Sequence, residues 1–143
     1  MVLRPVMVPD IPVIVELDRL AFPADEQYER SFYDIMLTQG NFEATAFVDS
    51  QGTIVGWALL DIARTPIHLR SISIHPTHQR EGHAKALLRS LIARHSAPMD
   101  LLVLPSNEPA IKLYEELGFV AAEADPSVPE RKRMVLNASR IGV

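Results

Sequence analysis

The segment Ile72-Ser73-Ile74-His75-Pro76-Thr77-His78-Gln79-Arg80-Glu81-Gly82-His83-Ala84-Lys85-Ala86-Leu87-Leu88 decides the fold of this 143-residue chain. An apolar strand runs through a polar turn into a helix. Ala84, Leu87, Leu88, Leu91 and Ile92 follow the i, i+3, i+4, i+7, i+8 rule, and Lys85 and Arg89 point away. The first N–H groups of such a helix lack internal partners and sit at the positive end of its dipole, so they form an anion site. Gly82 and Ala84 keep the surface low enough for an oxyanion to reach the backbone, and Arg80 and Lys85 add charge-assisted bonds. The turn has no glycine besides Gly82, so it matches neither the dinucleotide fingerprint nor the P-loop. Pyrophosphate is the anion that such a turn suits; a plain helix start is the alternative.

Downstream, Ala97-Pro98 ends the helix, and Met99-Asp100-Leu101-Leu102-Val103-Leu104 reads as a buried strand. Strand, helix and buried strand imply a right-handed parallel crossover. A further helix opens at Ser106-Asn107-Glu108-Pro109, buries Ala110, Leu113, Tyr114 and Leu117, and ends at Gly118 in a left-handed cap. Phe119–Glu123 and Arg131–Asn137 read as closing strands. Upstream, Asp10 is expected to cap a helix through Ile14, Leu17, Leu20 and Ala21, stopped before Pro23. A shorter helix carries Phe32, Ile35 and Met36 up to Gly40. Alternation at Phe42, Ala44, Ala46 and Val48 predicts a strand, followed by one from Thr53 to about Ile62, with Gly56 a candidate bulge, and one from about Ile67 to His75. The expected fold class is α/β: one domain over residues 1–143, with a mixed sheet made of an antiparallel meander plus a parallel strand–helix–strand crossover, flanked by about four helices.

Composition narrows the function. A chain that is 48% hydrophobic and 22% charged can bury a continuous core. With no cysteine, disulfides, thiolate zinc sites and cysteine nucleophiles are excluded. Arg4, Pro5, Pro9 and Asp10 interrupt the apolar start, and no run approaches a membrane span, so a cytoplasmic location without membrane contact is expected. The net charge of −4 is uneven: residues 1–63 hold three Arg and ten Asp or Glu, whereas residues 64–95 hold six Lys or Arg against Glu81. An acidic protein with one basic segment is not expected to bind nucleic acid over a broad surface, but can hold a small polyanion there.

Gln79-Arg80-Glu81-Gly82-His83-Ala84 resembles the Gln/Arg-x-x-Gly-x-Gly/Ala signature of the GNAT superfamily of N-acetyltransferases. Ser106-Asn107-Glu108-Pro109-Ala110-Ile111-Lys112-Leu113-Tyr114-Glu115-Glu116-Leu117-Gly118-Phe119 resembles its second cofactor motif, and the order of elements agrees over nearly the whole chain. The resemblance implies acetyl-CoA as donor, with Arg80, Glu81, Gly82, His83, Ala84 and Lys85 around the pyrophosphate, chiefly through backbone N–H groups. It implies further that the backbone of Ile72, Ser73 and Ile74 runs beside the pantetheine arm. Asn107 would hydrogen-bond that arm, or cap its own helix, or both. Tyr114 would be the acid toward the departing sulfur. A homodimer is among the assemblies that the resemblance suggests, although no segment marks an interface.

The base is less plainly written. An alkylammonium acceptor near pKa 10.4 loses its proton at a cost of about 4.6 kcal/mol at pH 7, whereas an α-amine near 7.8 costs about 1 kcal/mol. The ribosomal-protein N-terminal acetyltransferase branch carries a glutamate base where this chain has Leu102. His68 stands where other members place a Glu or His base, and an imidazole suits the task; Glu43 and ordered water are the other candidates. His75, His78 and His83 match no metal-ligand spacing, and no metal is expected. Trp57 follows Gly56 and belongs either to a pocket or to the core. The function expected is direct transfer of acetyl to a primary amine, from a small molecule, a protein N-terminus or a lysine, in a ternary complex. The acidic stretch around residues 24–29 would favour a cationic acceptor. A CoA-binding sensor without turnover is the alternative.

Overall fold

The computed structural model describes residues 1–137. Seven strands make one sheet: β1 (Val2–Pro5), β2 (Phe42–Val48), β3 (Ile54–Asp61), β4 (Ile67–Ile74), β5 (Met99–Val103), β6 (Val120–Ala121) and β7 (Lys132–Leu136). Their spatial order is β1-β2-β3-β4-β5-β7-β6, and the β4–β5 pair is parallel while the others are antiparallel. The helices are α1 (Ile11–Ala21), α2 (Arg30–Met36), α3 (His83–His95) and α4 (Glu108–Glu116). The expected α/β class, meander and crossover are all present.

Strand β3 shows why the sheet needs cover on both sides. Its residues from Ile54 to Leu60 are buried without interruption, the mark of a central strand between two layers. Ile54, Trp57 and Leu59 face one core with Ile11, Ile14 and Leu17 of α1 and Tyr33 and Met36 of α2. Val55, Ala58 and Leu60 face the other, with Leu87, Leu88 and Leu91 of α3 and Tyr114 of α4. A Cβ on Gly56 would lie 2.8 Å from the Ser73 carbonyl oxygen, so glycine is what lets β3 approach β4. The irregularity falls beside it: Phe47 faces Gly56 and Val48 faces Ile54, leaving Val55 as the extra residue.

Four local expectations change. Asp10 makes no side-chain cap on α1; its carboxylate takes the Met7 N–H at 2.7 Å and the Arg4 guanidinium at 2.7 and 3.0 Å. That pair ties the start of α1 to β1, an edge strand that alternation did not reveal because it is four residues long and carries Pro5, which an edge tolerates. In α2 the buried face is Tyr33 and Met36, while Ile35 is exposed, as is Leu20 of α1. The expected strand at Phe119–Glu123 shrinks to two residues. Gly118 takes φ +101° just after α4, the left-handed ending that was expected.

Candidate active site

The parallel pair is short. Ile67 faces Met99, His68 faces Asp100 and Leu69 faces Leu101, and beyond these residues no pairing joins β4 to β5. The strands part there, and two clefts open from the gap. One, of about 570 Å³, is lined by Ile72, Ser73 and Ile74, by Arg80, Gly82, His83, Ala84 and Lys85 of the turn, and by Asn107 and Tyr114. The other, of about 640 Å³, includes Asp18, Tyr28, His68, Arg70, Leu102 and Arg131. Ile72, Asn107 and Tyr114 line both, so the clefts meet at the mouth of the split.

Backbone builds the first cleft. The Gln79 side chain donates to the Ile74 carbonyl at 3.1 Å and folds the turn back onto β4. Arg80 (φ 66°) and Gly82 (φ 81°) are both left-handed. The first bond within α3 runs from the Ala86 N–H to the Gly82 carbonyl at 3.0 Å, and among the described residues no backbone acceptor takes the N–H groups of residues 80–85. A Cβ built on Gly82 meets nothing within 4 Å. Unengaged donors, open space and the positive end of a 13-residue helix therefore coincide, and they fit a pyrophosphate-bearing nucleotide thiol.

The side chains of the turn are less free than the sequence suggested. Lys85 Nζ bonds Glu116 Oε2 across to α4 at 3.1 Å. Glu81 does not line the cleft; its Oε1 lies 3.3 Å from His78 Nδ1 and 3.1 Å from His83 Nε2. The spacing of these histidines gave no hint of a shared partner, and the left-handed residues on either side fold Glu81 between His78 and His83. The ligating atoms of His78, Glu81 and His83 lie within 4.8 Å of one another, and no ion is needed to account for their hydrogen bonds. His75 turns instead to Thr77, at 2.8 Å.

Tyr114 reaches the junction from α4. Burial pushes its phenol up to about 12, so it holds its proton across the physiological range, and no hydrogen bond contributes to that shift. Asn107 caps α4, accepting the Ala110 N–H at 3.3 Å. It also lines both clefts, at the place where a pantetheine arm was expected.

Two buried carboxylates not singled out from the sequence serve the second cleft: Asp18 lines it, and Asp100 is joined to it through His68. Asp100 Oδ1 lies 2.7 Å from His68 Nδ1, and Asp100 Oδ2 accepts from Arg133 Nε at 3.0 Å. Burial works to raise the Asp100 carboxyl, but His68 and Arg133 outweigh it and hold it below the usual carboxylate range. The hydrogen bond at Nδ1 leaves Nε2 as the free nitrogen of His68. Asp18, on the inward face of α1, is 1% exposed and takes three donors: the Tyr33 hydroxyl at 2.5 Å, Trp57 Nε1 at 2.8 Å and the Ser73 hydroxyl at 2.9 Å. Burial is the largest influence and raises Asp18 above the usual range against those three donors. Trp57 is thus core, tied to the site through Asp18. Glu43 lines neither cleft; it pairs with Arg94 and His95, which removes it as a base. Asp18 had one readable signal, an acid on the apolar stripe of an amphipathic helix. Asp100 had a similar one, an acid inside a buried strand.

A chain with these two clefts, a bared helix start and a buried phenol at their junction belongs to the acetyltransferase (GNAT) family, whose model matches residues 11–119. It is 31% identical over 116 residues to the [ribosomal protein bS18]-alanine N-acetyltransferase of Escherichia coli K12, covering 77% of this chain and 74% of that protein. It is 30% identical over 128 residues to an N-alpha-acetyltransferase of Sulfurisphaera tokodaii, with the same coverage. A match to the mycothiol acetyltransferase of Stackebrandtia nassauensis is 41% identical over 49 residues but spans only 34% of this chain and 16% of that protein. In fold, the chain superposes on a chimera of the spermidine N-acetyltransferase SpeG of Vibrio cholerae with a TM-score of 0.81 at 23% identity, covering 97% and 96% of the two chains. The protein is an acyltransferase of this family.

Proposed function

We propose that this chain, acting as a single domain, transfers acetyl from acetyl-CoA to a primary amine by direct attack in a ternary complex. The observation that carries the proposal is the meeting of the two clefts at Ile72, Asn107 and Tyr114. Acetyl-CoA supplies an activated acetyl group, and the turn at residues 80–85 fits its pyrophosphate. The acceptor then enters by the other cleft. Splitting donor and acceptor between two mouths of one gap lets the reactants meet in line without an acyl-enzyme, for which the chain has no cysteine.

His68 Nε2 is the acceptor for the ammonium proton, with Asp100 holding the ring by Nδ1 and stabilising it once protonated. Leu102, which also lines the acceptor cleft, cannot share that task. Tyr114 donates toward the leaving sulfur. By the cysteine value a thiolate is a weaker base than an unperturbed phenolate by about 1.5 pKa units, and the burial of Tyr114 widens that gap, so a hydrogen bond to the developing charge suffices. The test is release of free thiol from acetyl-CoA over a panel of amines, beside CoA binding by thermal shift. Tyr114→Phe is expected to lower kcat about 100-fold with CoA affinity unchanged. CoA binding without thiol release from any amine would favour a sensor instead.

A further inference from the structure

Strand β4 carries an irregularity inside the acceptor cleft. Leu59 faces Ser71 and Leu60 faces Leu69, so Arg70 is the extra residue of a bulge. The bulge re-aims its side chain. The Tyr28 hydroxyl donates to the Arg70 carbonyl at 3.2 Å, and the guanidinium carbon stands 5.8, 5.5 and 5.5 Å from the ring centroids of Tyr28, Phe32 and Phe42. Three aromatic faces position this cation without neutralising it. Among the described residues no ion pair joins Arg70 to a carboxylate.

Two of the three acids that line the same cleft are engaged elsewhere. Asp18 is saturated by Tyr33, Trp57 and Ser73. Glu26 pairs with Arg131 at 3.1 Å, and Asp125 accepts from the Ser127 N–H and hydroxyl at 2.9 and 2.6 Å and lies within charge range of Arg64. Asp125 is in no ion pair among the described residues, whereas the acidic stretch at residues 24–29 that suggested a cationic acceptor contributes to the cleft only Glu26, already paired. The same cleft is lined by Arg70, exposed to solvent, set over three rings and in no ion pair among the described residues.

We propose that the acceptor is a small amine carrying a carboxylate, an amino-acid-like molecule whose acid group binds Arg70. This rests on the acetyl-transfer reading, because it presumes that this cleft receives the amine. A guanidinium fork matches a carboxylate with two parallel hydrogen bonds, which fixes where the amine points as well as holding it.

The experiment compares amino acids with their own amides, which keep the shape and remove the charge, and with spermidine. Thiol release and calorimetric binding to the CoA-saturated protein are both measured. The acids are expected to have KM values about 10- to 100-fold lower than the amides. Arg70→Gln is expected to erase that ratio with CoA binding unchanged, and Arg70→Lys to restore part of it. Equal kcat/KM for acid and amide, or a preference for spermidine, overturns the carboxylate assignment while leaving acetyl transfer intact. If no amine releases thiol while CoA binds, acetyl transfer fails. The carboxylate seat then stands only if calorimetry still shows acid favoured over amide through Arg70, and falls otherwise.

Discussion

The two clefts on either side of the β4–β5 split are made of different material. The first cleft is lined largely by one run of chain, residues 72–85, whose turn and helix start leave six N–H groups without a backbone acceptor, and is closed by residues of α4. The second cleft is lined by residues of α1, β4, β5 and the approach to β7, and its polar groups are held by partners distant in sequence: Asp18 by Ser73 and Trp57, and His68 by Asp100, which Arg133 holds in turn. A backbone site tolerates changes of side chain provided the bend survives. A side-chain site can be retuned one residue at a time without touching the donor. That division suits a fold that keeps one donor and varies the acceptor.

Substitutions at three positions sharpen the contrast, the first cleft giving the largest effect. Gly82→Val places a branched side chain where φ is +81° and the space above is open for a ligand. Losing two charge-assisted bonds to the pyrophosphate is expected to weaken CoA binding about 100-fold or more in calorimetry, for about 1–2 kcal/mol of stability. Wild-type affinity in that variant would remove the turn from the donor site.

Asp100→Asn leaves Arg133 without its carboxylate and His68 without its anchor. Here kcat is expected to fall about 10- to 100-fold at unchanged CoA affinity, with the acidic limb of the kcat/KM profile displaced, an effect that a purely structural acid would not produce. An unmoved pH profile would mean that His68 does not take the proton.

Asp18 gives the smallest effect on chemistry and a clear one on stability. Asp18→Ala strands three buried donors and is expected to cost about 3–5 kcal/mol in denaturant unfolding. Asp18→Asn, which keeps an acceptor for Trp57 and Ser73, is expected to cost about 1 kcal/mol. The native carboxyl is raised on folding, so the folded chain holds a proton that the unfolded chain releases above about 3.9. Its contribution is full below that value and is lost as pH rises through the higher folded value. Asp18→Asn should flatten that decline; an equal slope would place the titration elsewhere.

The same contrast explains what could be read from the chain. The turn at residues 79–84, the helix ending at Gly118 and the apolar stripe of α3 are local patterns, and each appeared where expected. Tyr114 and His68 could be singled out as candidates only because the family resemblance covers their positions. Asp18 and Asp100 could be noticed as acids in apolar surroundings, but their partners lie 15 to 55 residues away and have no local signature, and Arg70 depends on a slip in register. Glu81 shows the converse: its backbone belongs to the turn as read, but only the left-handed angles on either side decide that its carboxylate meets two histidines.

The parting of β4 from β5 after three pairs also has a thermodynamic side. A ladder cut short leaves part of the sheet's cohesion to whatever guest slides into the gap, so that the guest serves as a removable rung. Melting temperature should then climb with the logarithm of its concentration, and the fraction of folded chains would report how well supplied with that guest the surroundings are.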